Sequence, residues 1–135
     1  LEQSPYRWED MFNGMVTMAS ALEAWASVIY FQGRWVAVGG SKEVGIAVLA
    51  DNGDRLMSLA AADDFLREHG DDEGASKQKR WLHLPPSEKQ MKVLELDAFS
   101  AMGISRYRAT CLLQWKFSER GIKQKLLNRG LRPAA

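Results

Sequence analysis

Apolar residues in the first part of the chain come in short runs that are separated by turn residues. Runs at 6–12 and 15–19 flank Asn13 and Gly14, and an Asn-Gly pair between apolar runs is a strong hairpin signal. Helical spacing of the apolar residues in 8–24 competes with this interpretation. We favour strands, because Gly14 would destabilise a helix by about 1 kcal/mol.

The next residues continue the hairpin pattern. Runs at 25–31 and 34–39, rich in aromatic and β-branched residues, flank the Gln-Gly pair at 32–33, which predicts two paired strands. The sequence Gly-Gly-Ser-Lys at 39–42 predicts the following turn. The run at 44–49 is apolar or small at every position, which predicts a central strand. The whole pattern predicts an antiparallel meander of four to six strands.

A helix is predicted to follow the strands. The sequence at 51–54 predicts a hairpin turn, 55–58 a short returning strand, and 59–69 a helix with apolar residues at helical spacing. Gly70 is a typical helix stop. The predicted apolar face contains Leu59, Ala62, Phe65 and Leu66, and the predicted polar face contains Asp63, Asp64, Arg67 and Glu68.

The last part of the chain carries further helix signals. Residues 71–84 are polar and then basic, which predicts a linker. Pro85 and Pro86 predict the start of a new helix, because proline suits the first helical turn. Met91 and Leu94 are predicted to form the buried face of that helix.

Two more helices are predicted after a loop. Residues 98–103 predict the loop, in which Phe99 and Met102 are tucked against the core. Ser105 and Ser118 are each predicted to cap a helix. The apolar positions of these two helices are Tyr107, Cys111, Trp115, Ile122 and Leu126.

These patterns together predict an α+β fold. An N-terminal antiparallel β-meander with a covering helix is followed by a basic three-helix unit. The predicted divisions are a β-rich subdomain at 1–70 with its helix at about 59–69, a polar and basic linker at 71–84, a helical basic module at 85–130 and a tail at 131–135. The start at leucine rather than methionine suggests a fragment of a longer protein or a processed or trimmed chain.

Charge is distributed unevenly along the chain. Residues 1–75 contain 5 Lys or Arg and 13 Asp or Glu, a net charge of −8, whereas residues 76–135 contain 13 and 4, a net charge of +9. Such asymmetry is typical of a protein with a basic nucleic-acid-binding surface. Ion pairing between the two oppositely charged parts is the structural alternative, and the sequence leaves both open.

Residues with catalytic or metal-binding chemistry are sparse. The single cysteine, Cys111, excludes an internal disulfide and a cysteine cluster, and its apolar helical position indicates a packed thiol. His69 and His83 lie outside any metal-ligand spacing. The Gly-Gly-Ser-Lys sequence lacks the spacing of a phosphate-binding loop. The sequence therefore predicts no cofactor and no enzymatic activity for this segment.

The setting of the chain is predicted from two further absences. No apolar run approaches 18 residues, so neither a membrane span nor a membrane partner is predicted. The lone cysteine favours a reducing, cytoplasmic location.

Basic residues of the second part are interleaved with aromatic residues. Lysine and arginine neutralise phosphates, and exposed aromatic rings stack on unpaired bases. Trp81 in the basic linker is the better stacking candidate, because Tyr107 and Trp115 have the spacing of a core face. The predicted contacts to nucleic acid are Lys79, Arg80, Trp81, Arg106, Arg108, Lys116, Arg120, Lys123 and Lys125.

Several short motifs resemble a family. The opening PPSEKQ, followed by an apolar stretch and by GISRYRA with a later Leu-Leu, resembles a small helical module at the ends of bacterial, phage and plasmid DNA helicases. The segments RWVAVGG, AAADDFLREHGD and K-x-x-R-W-L are similar to the C-terminal accessory region of DEAD/DEAH-type superfamily 2 helicases.

The resemblance implies a part of a helicase-like protein without its ATPase motor. The chain contains no Walker A motif and no DEAD or DEAH box, so ATPase activity is not carried over. Lys89 and Gln90 match the Lys-Gln of the module's opening, and Arg106 matches its basic position. We add Lys89 and Gln90 to the predicted nucleic-acid contacts.

Two functional hypotheses follow. The first is a DNA-binding accessory domain that contacts the phosphate backbone of single-stranded or junction DNA, with duplex DNA as a further option. The gap between Leu94 and Ser105 exceeds the usual helix-turn-helix connection, which favours recognition of shape or backbone. The second is a protein-interaction module that docks on an acidic partner or on the motor domain of its parent helicase.

Overall fold

A computed structural model describes residues 4, 6–21, 23–70 and 84–128 of the chain. Most of the predicted linker and all of the predicted tail lie outside these residues. The elements are β1 (Glu9–Met11), β2 (Val16–Ser20), β3 (Ala24–Phe31), β4 (Arg34–Ser41), β5 (Gly45–Gly53), α1 (Arg55–His69), α2 (Glu88–Val93), α3 (Ala98–Ala101) and α4 (Arg106–Asn128).

The strands form one antiparallel sheet in chain order, β1-β2-β3-β4-β5. This confirms the α+β class, the N-terminal meander and the strand interpretation of the region around Gly14. Phe12, Asn13 and Gly14 all have positive φ between β1 and β2. Gln32 and Gly33 have φ of 50° and 88°, the left-handed backbone that a tight hairpin turn requires.

The turn predicted at 39–42 is wrong, because Gly39 and Gly40 lie inside β4 and the chain turns at 42–44. Both glycines make room for aromatic rings. A Cβ on Gly39 would lie 2.7 Å from the Phe65 ring, and one on Gly40 would lie 2.5 Å from the Trp25 ring. The Gly-Gly pair therefore serves packing on both faces of the sheet.

β5 is an edge strand, so the prediction of a central strand is wrong. Among the strands that the structure describes, it pairs with β4 alone. Its two faces are apolar because α1 packs on one of them and α4 on the other. Burial on both faces by helices produces the same sequence pattern as a central position in the sheet.

α1 begins at Arg55, four residues before the predicted start, so the turn at 51–54 and the returning strand at 55–58 are wrong. β5 runs to Gly53, and Asp54 caps the helix by accepting hydrogen bonds from the Leu56 and Met57 amides. The predicted apolar face is confirmed as buried, and Gly70 is the C-cap.

Asp63, predicted on the polar face of α1, is buried instead. Its carboxylate accepts hydrogen bonds from Ser4 and from Arg67 one turn away. Burial of a carboxylate is tolerated here because both oxygens have partners.

α2 follows Pro85 and Pro86, which precede its N-cap Ser87 and so lie outside its first turn. Ser87 and Gln90 form a capping box, in which each backbone amide donates to the other residue's side chain. Because both backbone amides have a hydrogen-bond acceptor, a helix of only six residues can start at this point.

α3 occupies part of the predicted loop. Asp97 caps it by accepting from the Ser100 amide, and only Ala101 is buried. Phe99 and Met102 are 85% and 84% exposed, so the prediction that they are tucked in is wrong. A single helical turn can direct only one side toward the core. In α3 that side carries Ala101.

α4 is one continuous helix, whereas two were predicted. Ser105 caps it as predicted, accepting from the Arg108 amide. Ser118 does not cap a helix, because it is buried in the middle of α4 and accepts a hydrogen bond from Gln114. Apart from Ala109, the buried positions 107, 111, 115, 118, 122 and 126 recur every three or four residues, so the buried face of the helix continues through Ser118 without a break.

The sheet is covered by a helix on each face. Small residues, including Ala19, Ala26 and Ala37, meet α1. Large residues, including Met18, Ile29 and Val38, meet α4. Neighbouring residues of a strand point to opposite faces, so the same three strands form both cores.

Candidate nucleic-acid interface

The predicted core positions of α4 are confirmed as buried. Tyr107 and Cys111 are fully covered, and Trp115 is 8% exposed. The Tyr107 hydroxyl donates to the Arg7 carbonyl at 2.7 Å and accepts from the Ser20 amide at 3.0 Å. These contacts fix α4 on the sheet and remove Tyr107 and Trp115 from the candidates for base stacking.

Burial also determines the protonation state of Cys111 and Tyr107 on this face. It raises the pKa of the Cys111 thiol to about 12. It also raises the pKa of the Tyr107 hydroxyl above its usual range. Both groups therefore stay protonated at neutral pH, so Cys111 is a packed thiol and not a nucleophile.

The outer side of α4 presents a row of cations. Lys116, Arg120 and Lys123 are exposed and are spaced by four and three residues, so they lie along one side of the helix. We call these three residues the basic stripe. Lys125 is also exposed, but a separation of two residues places it on a different side from Lys123.

Arg108 contacts the N-terminal part of the chain. Its guanidinium donates to the Asp10 carbonyl at 2.7 Å and lies 3.4 Å from a carboxylate oxygen of Glu9. Glu9 is buried and also pairs with Arg7. Arg108 thus joins α4 to β1, in agreement with the structural alternative for the charge asymmetry.

Gln90 and Arg106 are bound within the helical region. Gln90 completes the α2 capping box and donates to the Thr110 hydroxyl at 3.1 Å. Arg106 donates from its side chain to the Pro85 carbonyl at 3.1 Å. Lys89 is exposed on α2. Lys79, Arg80 and Trp81 lie outside the described residues.

Within the described ranges, the ion pairs of α4 are those of Arg108 with Glu9 and of Lys123 with Glu119. The second pair joins a lysine amine and a carboxylate 2.7 Å apart on neighbouring turns. Both side chains are well exposed, so the pair stabilises the helix by only about 0.3–0.5 kcal/mol. Lys123 can exchange this partner for another anion at small cost.

An apolar groove of about 550 Å³ lies next to the basic stripe. It is enclosed by the tips of the β1–β2 and β3–β4 hairpins, by the residues after α2 and by α4. Phe12, Tyr30, Phe31, Leu96, Leu112 and Trp115 are among its lining residues, and Lys116, Glu119 and Lys123 supply its charged groups.

Sequence reasoning missed the groove. Phe12, Met15 and Tyr30 are 51%, 42% and 40% exposed, although the sequence pattern indicates them only as members of apolar runs. The sequence does contain an indication of this exposure. Apolar residues that flank tight turns lie at hairpin tips, and hairpin tips usually lie outside the core of a sheet. Phe12 packs near Trp115 with ring centroids 6.1 Å apart, which connects the hairpin tip to α4.

In the part of the chain that the structure describes, no three side chains of His, Cys, Asp or Glu converge in a way that would hold a metal ion. No helix in these residues combines the length and apolarity needed to cross a membrane.

Comparison with known proteins places the chain in a family. No curated protein and no solved structure is significantly similar to it. The family described as "Mitochondrial helicase Irc3, C-terminal domain" matches residues 1–130. This match confirms the predicted relation to a C-terminal region of helicases, and it spans nearly the whole sequence. The chain belongs to the family of Irc3 C-terminal helicase domains.

Proposed function

We propose that the chain is a nucleic-acid-binding accessory domain of a helicase-like DNA-processing protein. Its basic stripe contacts the phosphate backbone of DNA and guides the strand relative to a motor elsewhere in the parent protein. The contact is independent of sequence, because lysine and arginine neutralise phosphates and release counterions without reading the bases.

One observation carries the proposal. α4 has six basic residues and one acidic residue, and its opposite side is fixed in the sheet core through Tyr107 and Ile122. The basic stripe is therefore presented on a rigid element, and none of its cations pairs with an acidic residue of 1–70 within the described residues. The backbone that carries these cations is already ordered, so contact with phosphates restricts only their side chains.

The predicted contacts have different weights in this proposal. Lys116, Arg120 and Lys123 are the primary contacts, and the exposed Lys125 and Lys89 extend the surface. Gln90, Arg106 and Arg108 would have to leave the hydrogen bonds that they make now, so we expect them to act mainly through the fold. Lys79, Arg80 and Trp81 remain predicted contacts.

Salt dependence of DNA binding tests the proposal. Fluorescence anisotropy of labelled single-stranded and forked oligonucleotides would be recorded across a range of salt concentrations. The double variant Lys116→Glu with Arg120→Glu removes two phosphate contacts. We expect it to reduce the slope of log affinity against log salt by about 1.4, at about 0.7 per contact for single strands.

A charge-matched control separates contact from net charge. The double variant Lys42→Glu with Lys92→Glu changes the charge by the same amount at two exposed lysines outside the basic stripe. We expect it to leave the slope nearly unchanged. Equal effects of the two double variants would contradict the basic stripe as the contact surface, and absence of binding to any DNA at low salt would contradict nucleic-acid binding altogether.

Docking on a protein is the second candidate function. The exposed Phe99 and Met102 on α3 favour it, because adjacent apolar side chains at this exposure are typical of interaction surfaces. The partner would be the motor domain of the parent helicase or an acidic protein. Phe99→Ala with Met102→Ala should weaken co-purification with a separately expressed motor domain while DNA affinity stays unchanged.

Origin and compartment remain predictions. The matching family is named for a mitochondrial helicase, whereas the sequence motifs resemble bacterial, phage and plasmid superfamily 2 helicases. A reducing, cytoplasmic setting is the expectation from the single cysteine alone.

A further inference from the structure

We infer that the apolar groove beside α4 binds unpaired bases of single-stranded nucleic acid. This inference rests on the proposed function and adds the class of ligand to it. Bases would enter the groove and stack on its exposed aromatic ring, Phe12, while the phosphates on either side of them contact Lys116 and Lys123. The domain would then bind single strands in preference to duplex.

The aromatic lining is the first argument. Four of the residues that line the groove are aromatic, and one of them, Phe12, keeps 51% of its surface exposed. The Tyr30 ring lies toward the other face of the sheet, against Trp35. Phe12 lies near Trp115 on α4, with ring centroids 6.1 Å apart. The Phe12 ring is thus positioned before a ligand arrives, which lowers the entropic cost of stacking.

The size of the groove is the second argument. Its volume of about 550 Å³ lies within the range of roughly 300–1,000 Å³ that small-molecule sites occupy. The groove therefore has room for one or more flat bases. A paired duplex cannot use it, because its bases are stacked and their faces are covered.

Charge is the third argument. Lys116 and Lys123 line the groove and are seven residues apart on α4, which corresponds to about 10 Å along the helix. A strand of a few nucleotides can span this distance with its phosphates on the lysines. Glu119 between them is paired with Lys123, and this exposed pair is weak enough for Lys123 to exchange the carboxylate for a phosphate. The combination of a cationic edge and a stacking platform is typical of sites for single strands.

Oligonucleotides without bases provide the decisive test. The wild-type protein would be titrated with a short poly-dT strand and with an abasic strand of equal length, which keeps the sugars and phosphates. We expect the abasic strand to bind about 5- to 100-fold more weakly, the range expected for loss of stacked bases. Equal affinities would overturn the inference and leave phosphate binding by the basic stripe intact.

Variants locate the effect in the groove. Phe12→Ala should weaken binding of poly-dT and leave the abasic strand unchanged, whereas Phe12→Tyr should keep wild-type affinity for both. Phe99→Ala is the matched control, because it removes an exposed ring that does not line the groove. Circular dichroism and thermal unfolding would establish that each variant is folded.

The outcomes of the two proposals are separable. If neither strand binds at low salt, the proposed function fails and the inference fails with it. If both strands bind but Phe12→Ala changes neither affinity, the groove does not hold bases. In that case the inference is overturned.

Discussion

The two faces of the sheet are built from the same strands but serve different ends. On one face α1 meets alanine and glycine, and Gly39 lies under the ring of Phe65. On the other face α4 meets methionine, valine and isoleucine. The outward side of α1 mixes acidic and basic residues, whereas the outward side of α4 is basic. Both helices complete the fold, and under the proposed function α4 also carries the surface that contacts the ligand.

The large-residue face is the more sensitive to truncation. Ile122 is fully buried between α4 and the sheet, so Ile122→Ala leaves a cavity and should lower the free energy of unfolding by about 2–5 kcal/mol. Urea denaturation followed by circular dichroism measures the loss. Leu127→Ala on the same helix is the control, because that side chain is 48% exposed. Similar losses for the two variants would show that the stability of the fold does not depend on the buried face of α4.

The small-residue face should instead be sensitive to enlargement. A Cβ on Gly39 would lie 2.7 Å from the Phe65 ring, whereas one on Gly103 would meet nothing within 4 Å. We expect Gly39→Ala to lower the free energy of unfolding by about 1–3 kcal/mol through overpacking, and Gly103→Ala to change it little. Thermal unfolding of both variants makes the comparison. A stabilised Gly39→Ala protein would mean that α1 can move outward at no cost.

The contrast between these faces also explains which parts of the fold were predictable. The Asn-Gly and Gln-Gly turns have local causes, so the hairpins at Gly14 and Gly33 follow from sequence. Gly39 and Gly40 carry the same local signal as a turn, but their neighbours Phe65 and Trp25 come from other elements. A short sequence window cannot contain that information, and the turn was misplaced for this reason.

The candidate site was predictable to a similar degree. Lys116, Arg120 and Lys123 were identified from charge and spacing, because an exposed helical surface is a local property. Arg108 has the same charge and the same helix, yet its partner Glu9 is 99 residues away. The groove is formed where four separate parts of the chain come together, so no single stretch of sequence predicts it. Which cations remain available to a ligand is therefore a tertiary property.

The smallest expected effect concerns the carboxylate within the basic surface. Glu119→Gln removes the partner of Lys123 and raises the charge of α4 by one, so the affinity for single-stranded DNA at low salt should rise by about 2-fold, the worth of an exposed ion pair on neighbouring helical turns. Glu68→Gln makes the same change on the outer side of α1, where the glutamate side chain is 77% exposed. Anisotropy titrations of both variants compare the two helices directly. If Glu68→Gln strengthens binding as much as Glu119→Gln, net charge rather than the position of Lys123 governs the contact, and the functional distinction between α1 and α4 is lost.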